Sequence, residues 1–332
     1  MNTALSTGRG RTVMEFSVNT VEQARVMTRR YAKTFYFASH ALPPEKRQAA
    51  YALYSFCRYV DNIVDEATDP ESARVLLYDV RRRLDEIYDD DHRVARWVVL
   101  RETVERYGIP KKHFLDLIEG VEMDLAGTRC RTFAELRRYC YHVASVVGLM
   151  MARILQPDND DALSCAEDLG TAMQLTNILR DIGEDCGMKR IYLPGDEMEE
   201  WGLSEDVLAG QKVTPAFRAF MQFNIARARA FYRKAEPGIR LLPDDGSRFC
   251  VRLMSTLYGR ILNSIEANGY DVLNRRAHVP VSEKLRLAVA ITLRHQGTPY
   301  FLLNPVRRAA VRSDNRSVGG TPARQAQSST LI

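Results

Sequence analysis

A chain of 332 residues with 45% hydrophobic content is long and apolar enough to bury a substantial core, which excludes disorder of the whole. The net charge of +5 is mild and the bases are interleaved with acids, so nucleic acid is not expected as a partner. No apolar run reaches the roughly 18–20 residues of a membrane span, and residues 1–13 lack the apolar stretch of a secretory signal, so a cytoplasmic location is expected.

From Val21 to about His295, apolar residues recur at three- and four-residue spacing and strand-like alternation is nearly absent, which predicts an all-α fold. Helix-to-helix connections are expected at Leu42-Pro43-Pro44, Asp69-Pro70, Gly108-Ile109-Pro110, Gly127-Thr128, Gln156-Pro157-Asp158, Leu193-Pro194-Gly195, Val213-Thr214-Pro215 and residues 242–246. Asn268-Gly269 follows a long helical pattern (Leu253, Leu257, Ile261, Ile265) and reads as a helix C-cap rather than a β-turn. There is no repeat and no interior linker. A single helical domain over residues 16–305 is therefore expected, between a loose segment, 1–15, and a disordered basic tail, 306–332. In that tail Arg307, Arg308, Arg312, Arg316 and Arg324 face only Asp314 among small polar residues; contact with anionic lipid is the alternative reading. The six cysteines (Cys57, Cys130, Cys140, Cys165, Cys186, Cys250) show no CxxC spacing, and neither zinc nor a disulfide framework is indicated.

The first chemically informative helix covers residues 51–66, YALYSFCRYVDNIVDE. Tyr54, Arg58, Asp61 and Asp65 share one face, and Leu53, Phe56, Cys57, Val60, Ile63 and Val64 crowd the rest. A helix apolar on most sides is buried, so the polar stripe should face an interior cavity. Two carboxylates one turn apart repel by about 0.2–0.5 kcal/mol even on an exposed helix. A divalent cation reverses that sign, and all-oxygen ligation suits Mg²⁺ held by one or two carboxylates plus substrate phosphates. Taken alone, the stripe also reads as a solvated acidic helix end paired with Arg58.

A helix is next expected over residues 133–155, FAELRRYCYHVASVVGLMMARIL, with Ala144, Ser145 and Gly148 at its middle. Small residues there either admit a neighbouring helix or leave room for a long apolar chain. Tyr139 and Tyr141 lie at its polar end, where a phenol can move a proton or face a cation, although two tyrosines on a helix are usually packing residues. His40 and His142 lack ligand-like partners and read as structural.

In residues 169–185, LGTAMQLTNILRDIGED, Gln174, Asn177, Asp181 and Asp185 form a second polar stripe among Leu169, Ala172, Met173, Leu175, Ile178, Leu179 and Ile182. Two such helices facing each other would make a metal cage with room for a polyphosphate. Arg58, Arg180, Lys189 and Arg190 lie beside the stripes, and guanidinium binds phosphate oxygens in bidentate fashion. Neither GxxxxGK[ST] nor GxGxxG occurs, so a diphosphate handled by metal and arginine fits better than a glycine-rich cradle.

On these residues the chain resembles the squalene and phytoene synthases, head-to-head members of the trans-isoprenyl diphosphate synthases. The resemblance runs from about Tyr31 to Ala290 through YAKTFYFASHALP, CRYVDNIVDE, YCYHVASVVG, QLTNILRDIGED, RIYLP and YDVLNRRAHV. It implies the isoprenoid synthase fold, a helical bundle around a central cavity. It further implies a Mg²⁺-dependent prenyltransferase that ionises an allylic diphosphate, forms a cyclopropylcarbinyl diphosphate, then ionises and rearranges it. Mn²⁺ is a possible substitute metal. Carried over by position, Asp61, Asp65, Asn177, Asp181 and Asp185 resemble the metal shell. Thr34, Tyr54, Arg58, Gln174, Arg180, Arg190, Tyr258 and Arg276 resemble diphosphate and substrate contacts, and Tyr139 matches a tyrosine that handles protons or cations. Thr34 stands where many members have serine, and Asn62 where many bacterial members have a further aspartate.

Residues 257–279 and 189–204 look most like the phytoene synthases of that family, which implies two geranylgeranyl diphosphates as substrates and no NADPH. The alternative is a squalene or dehydrosqualene synthase using farnesyl diphosphate. From other classes, a terpene cyclase lacks support from YCYHVASVVG and RIYLP, and a non-catalytic assembly-factor paralogue should have lost aspartates that are all present. Apolar tails and an apolar product imply transient peripheral membrane contact, though no amphipathic anchor stands out. Nothing in the sequence specifies an oligomeric state.

Overall fold

The computed structural model describes residues 19–67, 69–89, 97–294 and 296–303. Every regular element among them is helical, as the periodicity predicts. The helices are α1 (Val21–Tyr31), α2 (Lys33–Ser39), α3 (Pro44–Asp65), α4 (Pro70–Tyr88), α5 (Val98–Tyr107), α6 (Lys111–Leu125), α7 (Phe133–Cys140), α8 (Val146–Leu155), α9 (Asp161–Gly187), α10 (Gly195–Glu200), α11 (Glu205–Ala209), α12 (Pro215–Arg240), α13 (Ser247–Ala267), α14 (Val281–Leu293) and α15 (Tyr300–Leu303). The segments expected to be loose, 1–15 and 306–332, lie outside the described residues.

The connections fall where proline, glycine and short polar residues mark them. Asp69 caps α4 by accepting from Ser72 N–H, Thr214 caps α12 by accepting from Phe217 N–H, and a proline follows each cap at the first helical position. Gly108 ends α5 in the left-handed region at φ +57, and α13 stops at Asn268 with Gly269 at φ +64, the C-cap that Asn-Gly predicts. One expectation needs correction. Residues 133–155 are not one uninterrupted helix, because a π-helical turn, Tyr141–Ser145, separates α7 from α8. This wide turn is held sideways: Ser145 Oγ donates to the Glu167 carbonyl (2.8 Å) and pairs with Thr171 Oγ1 (3.1 Å) on α9.

Helix α9 is the axis of the molecule. It packs along most of its length on α12 and is flanked by the π turn, α8 and α13, and every residue from Gly170 to Leu179 is buried. Two glycines let backbone approach it. A Cβ on Gly170 would lie 2.6 Å from Ser145 Cα, and one on Gly183 would lie 2.4 Å from the Leu273 carbonyl oxygen. The second approach seats the loop after α13 directly on α9. Lys46 ties three elements together, its buried ammonium donating to the Leu155 carbonyl (2.8 Å) and to Asp245 (2.8 Å). The main apolar core, around Phe56, Trp97, Phe114 and Tyr139, adjoins a second one around Leu42, Phe249 and Leu253; Phe35, Met151 and Tyr258 pack against both. Among the described residues no helix is long and apolar enough to cross a membrane.

Candidate active site

The polar stripe of α3 and that of α9 border one region of the interior. Arg58, which donates to Asp61, and Arg180 and Arg276, which donate to Asp181, meet there. A cavity of about 480 Å³ opens there, lined by Tyr54 and Arg58 of α3, Arg180 of α9, Tyr258 of α13, Thr34 of α2 and Arg276 of the loop that Gly183 admits. Six of the eight residues expected to contact substrate thus share one wall. Gln174 is buried beneath it, and Arg190 stands at the acidic end.

Each stripe carries its own cations. Arg58 donates to Asp61 (2.8 Å) and lies over the Tyr31 ring (4.9 Å), while Arg190 donates to Asp65 through both terminal nitrogens (3.2 Å each). On α9, Asp181 accepts two bidentate forks, from Arg180 (2.8 and 2.5 Å) and from Arg276 (2.8 and 3.1 Å). The consequence is electrostatic asymmetry. Burial pushes the Asp61 carboxyl well above the usual carboxylate range, and the charge of Asp65 adds to it more than Arg58 offsets. Burial, then the charge of Asp181, pushes Asp185 up to about 7. Burial also acts upward on Asp181, but the hydrogen bonds and charges of Arg180 and Arg276 outweigh it and hold that carboxyl below its ordinary value.

A divalent cation fits this donor set. Buried, mutually repelling carboxylates are the charge surplus such an ion removes. Asn177 supplies a second indication: its Nδ2 donates to Gln174 Oε1 (3.2 Å), leaving a buried Oδ1 with no hydrogen-bond partner. Among the described residues no three carboxylate, imidazole or thiol groups converge closely enough to hold an ion by themselves.

The pattern defining the squalene/phytoene synthase family matches residues 28–283. The chain belongs to that family. It is 40% identical over 276 residues to a 15-cis-phytoene synthase of Synechococcus elongatus, a match covering 80% of this chain and 89% of that protein. It is 44% identical over 264 residues to a chloroplastic phytoene synthase 3 of Zea mays, covering 77% of this chain but only 62% of the maize protein. Among solved structures, a dehydrosqualene synthase crystallised with a ligand superposes with a TM-score of 0.77 at 27% identity, covering 83% of this chain and 96% of that one. Membership of this squalene/phytoene synthase family makes the chain a prenyltransferase.

Against this family framework, Tyr139 gains a setting that its position in the sequence does not reveal. It is fully buried, its ring stacks on Tyr192 (centroids 4.9 Å apart), and its hydroxyl donates to Asp124 Oδ2 (3.1 Å). Tyr192 donates to the other oxygen of the same carboxylate (2.9 Å). Burial pushes Asp124 up to about 6 and Tyr139 well above its ordinary value, so the phenol is neutral at physiological pH. Asp124 and Tyr192 escape the sequence reading. Asp124 stands alone at the end of α6 with no carboxylate one turn away, and Tyr192 looks like one more apolar residue of RIYLP. Tyr141 points elsewhere, its hydroxyl donating to Asp116 (3.2 Å), and Lys189 is exposed in a left-handed turn at φ +60. His142 Nδ1 lies 3.0 Å from the Asp116 carbonyl, and His40 Nδ1 lies 2.6 Å from that of Tyr36, as structural histidines do.

Beyond Phe35 the lining changes character. Phe35 borders both the polar cavity and a second one of about 130 Å³, whose walls include Val147, Gly148, Met151, Leu169, Met173 and Met254. Gly148 serves both readings of the small-residue cluster at once. A Cβ there would lie 2.7 Å from the Ala166 carbonyl oxygen, so it lets α8 close on α9, and it also lines the apolar space.

Proposed function

We propose that this protein is a magnesium-dependent phytoene synthase, joining two geranylgeranyl diphosphates head to head through a cyclopropylcarbinyl diphosphate. The carrying observation is that the arginines paired with the two acidic stripes, Arg58 with Asp61 and Arg180 and Arg276 with Asp181, line one cavity that shares Phe35 with an apolar one. The choice of C20 substrates rests on the 40% identity to a 15-cis-phytoene synthase over most of both chains.

Mg²⁺ held by Asp61, Asp65, Asn177, Asp181 and Asp185 would neutralise the departing diphosphate as a Lewis acid. The chain's own residues do the rest. Arg180, Arg190 and Arg276 already present planar forks to carboxylates and Arg58 donates a single bond to one, and phosphate oxygens take the same geometry. Thr34, Tyr54 and Tyr258 stand on the same wall and orient the diphosphate, while Gln174 fixes the rotamer of Asn177. The unbranched, deformable Met151, Met173 and Met254 let the apolar cavity adapt to an isoprenoid tail and keep water from the allylic cation. Tyr139, aligned by Asp124 and Tyr192, relays the proton lost in the final step, its oxygen taking that proton as its own hydroxyl proton passes to the Asp124 carboxylate. Apolar tails and product bring the enzyme into peripheral contact with a membrane.

Product analysis with C15 and C20 allylic diphosphates, each with Mg²⁺ and with or without NADPH, tests this reading. A C40 hydrocarbon and inorganic diphosphate from the C20 substrate, independent of NADPH, are expected. Product from the C15 substrate alone would transfer the chain to the squalene or dehydrosqualene reaction, and no product from either would end the catalytic reading.

A further inference from the structure

Helix α14 has two unlike sides. Leu287 and Ile291 are buried in the core cluster that contains Leu253 and Leu257, and Lys284 reaches the active-site cavity, donating to Thr34 Oγ1 (2.8 Å). The other side presents Val281, Leu285, Val289 and Leu293, spaced four apart, with exposures of 71, 52, 58 and 74%. Single exposed aliphatics are ordinary on protein surfaces; four in one helical row form a continuous apolar strip.

The strip has a basic border. Arg260 of α13 forms an ion pair with Glu283 of α14 (3.5 Å), and the same arginine lines an open groove of about 440 Å³ with Arg233, Glu236 and Arg229 of α12, the last held by Glu266 (2.6 Å). An aliphatic row beside clustered arginines is the composition of a surface that inserts shallowly between lipid headgroups while its cations meet phosphate. The placement agrees, because the helix bearing the row also forms a wall of the cavity that receives an apolar-tailed substrate.

We propose that the exposed face of α14, with the arginine groove between α12 and α13, docks on an anionic lipid leaflet and brings the cavity to the membrane from which substrate enters and into which product leaves. This deepens the functional reading above and rests on it for the apolar substrate. The docking face itself does not depend on which allylic diphosphate is used.

The test is co-sedimentation of the full chain with vesicles of phosphatidylcholine alone and of phosphatidylcholine with phosphatidylglycerol. The wild type should pellet with the mixed vesicles and far less with the neutral ones. Leu285→Asp/Val289→Asp should lower the partition coefficient by on the order of tenfold or more. Val75→Asp/Tyr78→Asp, which places the same charges on exposed apolar positions of α4, should leave it unchanged. Turnover of detergent-dispersed geranylgeranyl diphosphate should stay at the wild-type rate in both double variants. With substrate embedded in mixed vesicles, only the α14 variant should lose activity. A wild type that turns over dispersed substrate but ignores vesicles would overturn the docking proposal and leave the reaction standing. Wild-type pelleting by the α14 variant would also overturn it, as would vesicle-independent dimers abolished by that variant, which would assign the row to a second copy. Vesicle binding without turnover of any allylic diphosphate would sink the reaction instead.

Discussion

The two acidic stripes look interchangeable as patterns, yet the protein treats Asp61 and Asp181, which hold matching positions in them, oppositely. On α9, Asp181 is enclosed by two arginine forks and stays ionised. On α3, Asp61 has one arginine, and burial together with Asp65 drives its carboxyl toward protonation. Charge balance at Asp181 is supplied by the chain, whereas Asp61 and Asp185 hold a surplus that a cation would remove. Equal spacing therefore does not imply equal electrostatics, because the neighbours that set a pKa come from other parts of the chain.

The largest effect should erase the contrast. Asp61→Ala and Asp181→Ala should each reduce turnover by roughly a thousandfold or more, since each removes a ligand for the Lewis acid, while helix content by circular dichroism stays intact. An active Asp61→Ala enzyme would show that the metal assignment is wrong. A smaller kinetic loss, about a hundredfold in the chemical step, is expected for Tyr139→Phe with substrate affinity unchanged. Single-turnover kinetics decides this, and a wild-type rate would return Tyr139 to the role of packing Tyr192.

Stability should then separate the stripes. Asp181→Asn strands the buried Arg180 and should cost about 3–5 kcal/mol in chemical denaturation without metal. Asp61→Asn removes a carboxyl that burial already disfavours as an anion, and should cost less than about half as much. Equal costs would contradict the asymmetry.

The smallest effect is a pH dependence whose sign differs between the raised carboxyls and the lowered one. Asp61 and Asp185 have folded-state pKa values raised above the unfolded value of about 4, so the stability they contribute is fully present below that value. It is lost as pH rises through the folded value, about 7 for Asp185. Asp181, held low, contributes above its unfolded pKa and loses that contribution only as acid protonates it. Melting temperature in chelator should accordingly decline as pH rises toward neutrality, and saturating Mg²⁺ should restore it. A pH-independent melting temperature in chelator would count against the burial of these carboxyls.

Much of the fold was legible because helix signals are local. Threonine or aspartate before proline, glycine after an apolar run and the three- and four-residue spacing act within a few residues, and they placed the ends of α3, α4, α12 and α13. The π turn was not legible, since the bonds holding it run from Ser145 to Glu167 and Thr171 on another helix. Asp124 and Tyr192 were missed for the same reason: they meet Tyr139 only because α6 and the strap after α9 converge on α7.

The sequence by itself determined an all-helical chain, two carboxylate stripes and the family to which they belong, because helical periodicity and motif order are properties of a line. Tertiary structure alone decided that Arg276 and Arg180 enclose one aspartate, that Phe35 divides a polar cavity from an apolar one, and that the row on α14 faces outward. Burial and charge neighbourhood depend on residues distant in the chain, so no local pattern encodes them.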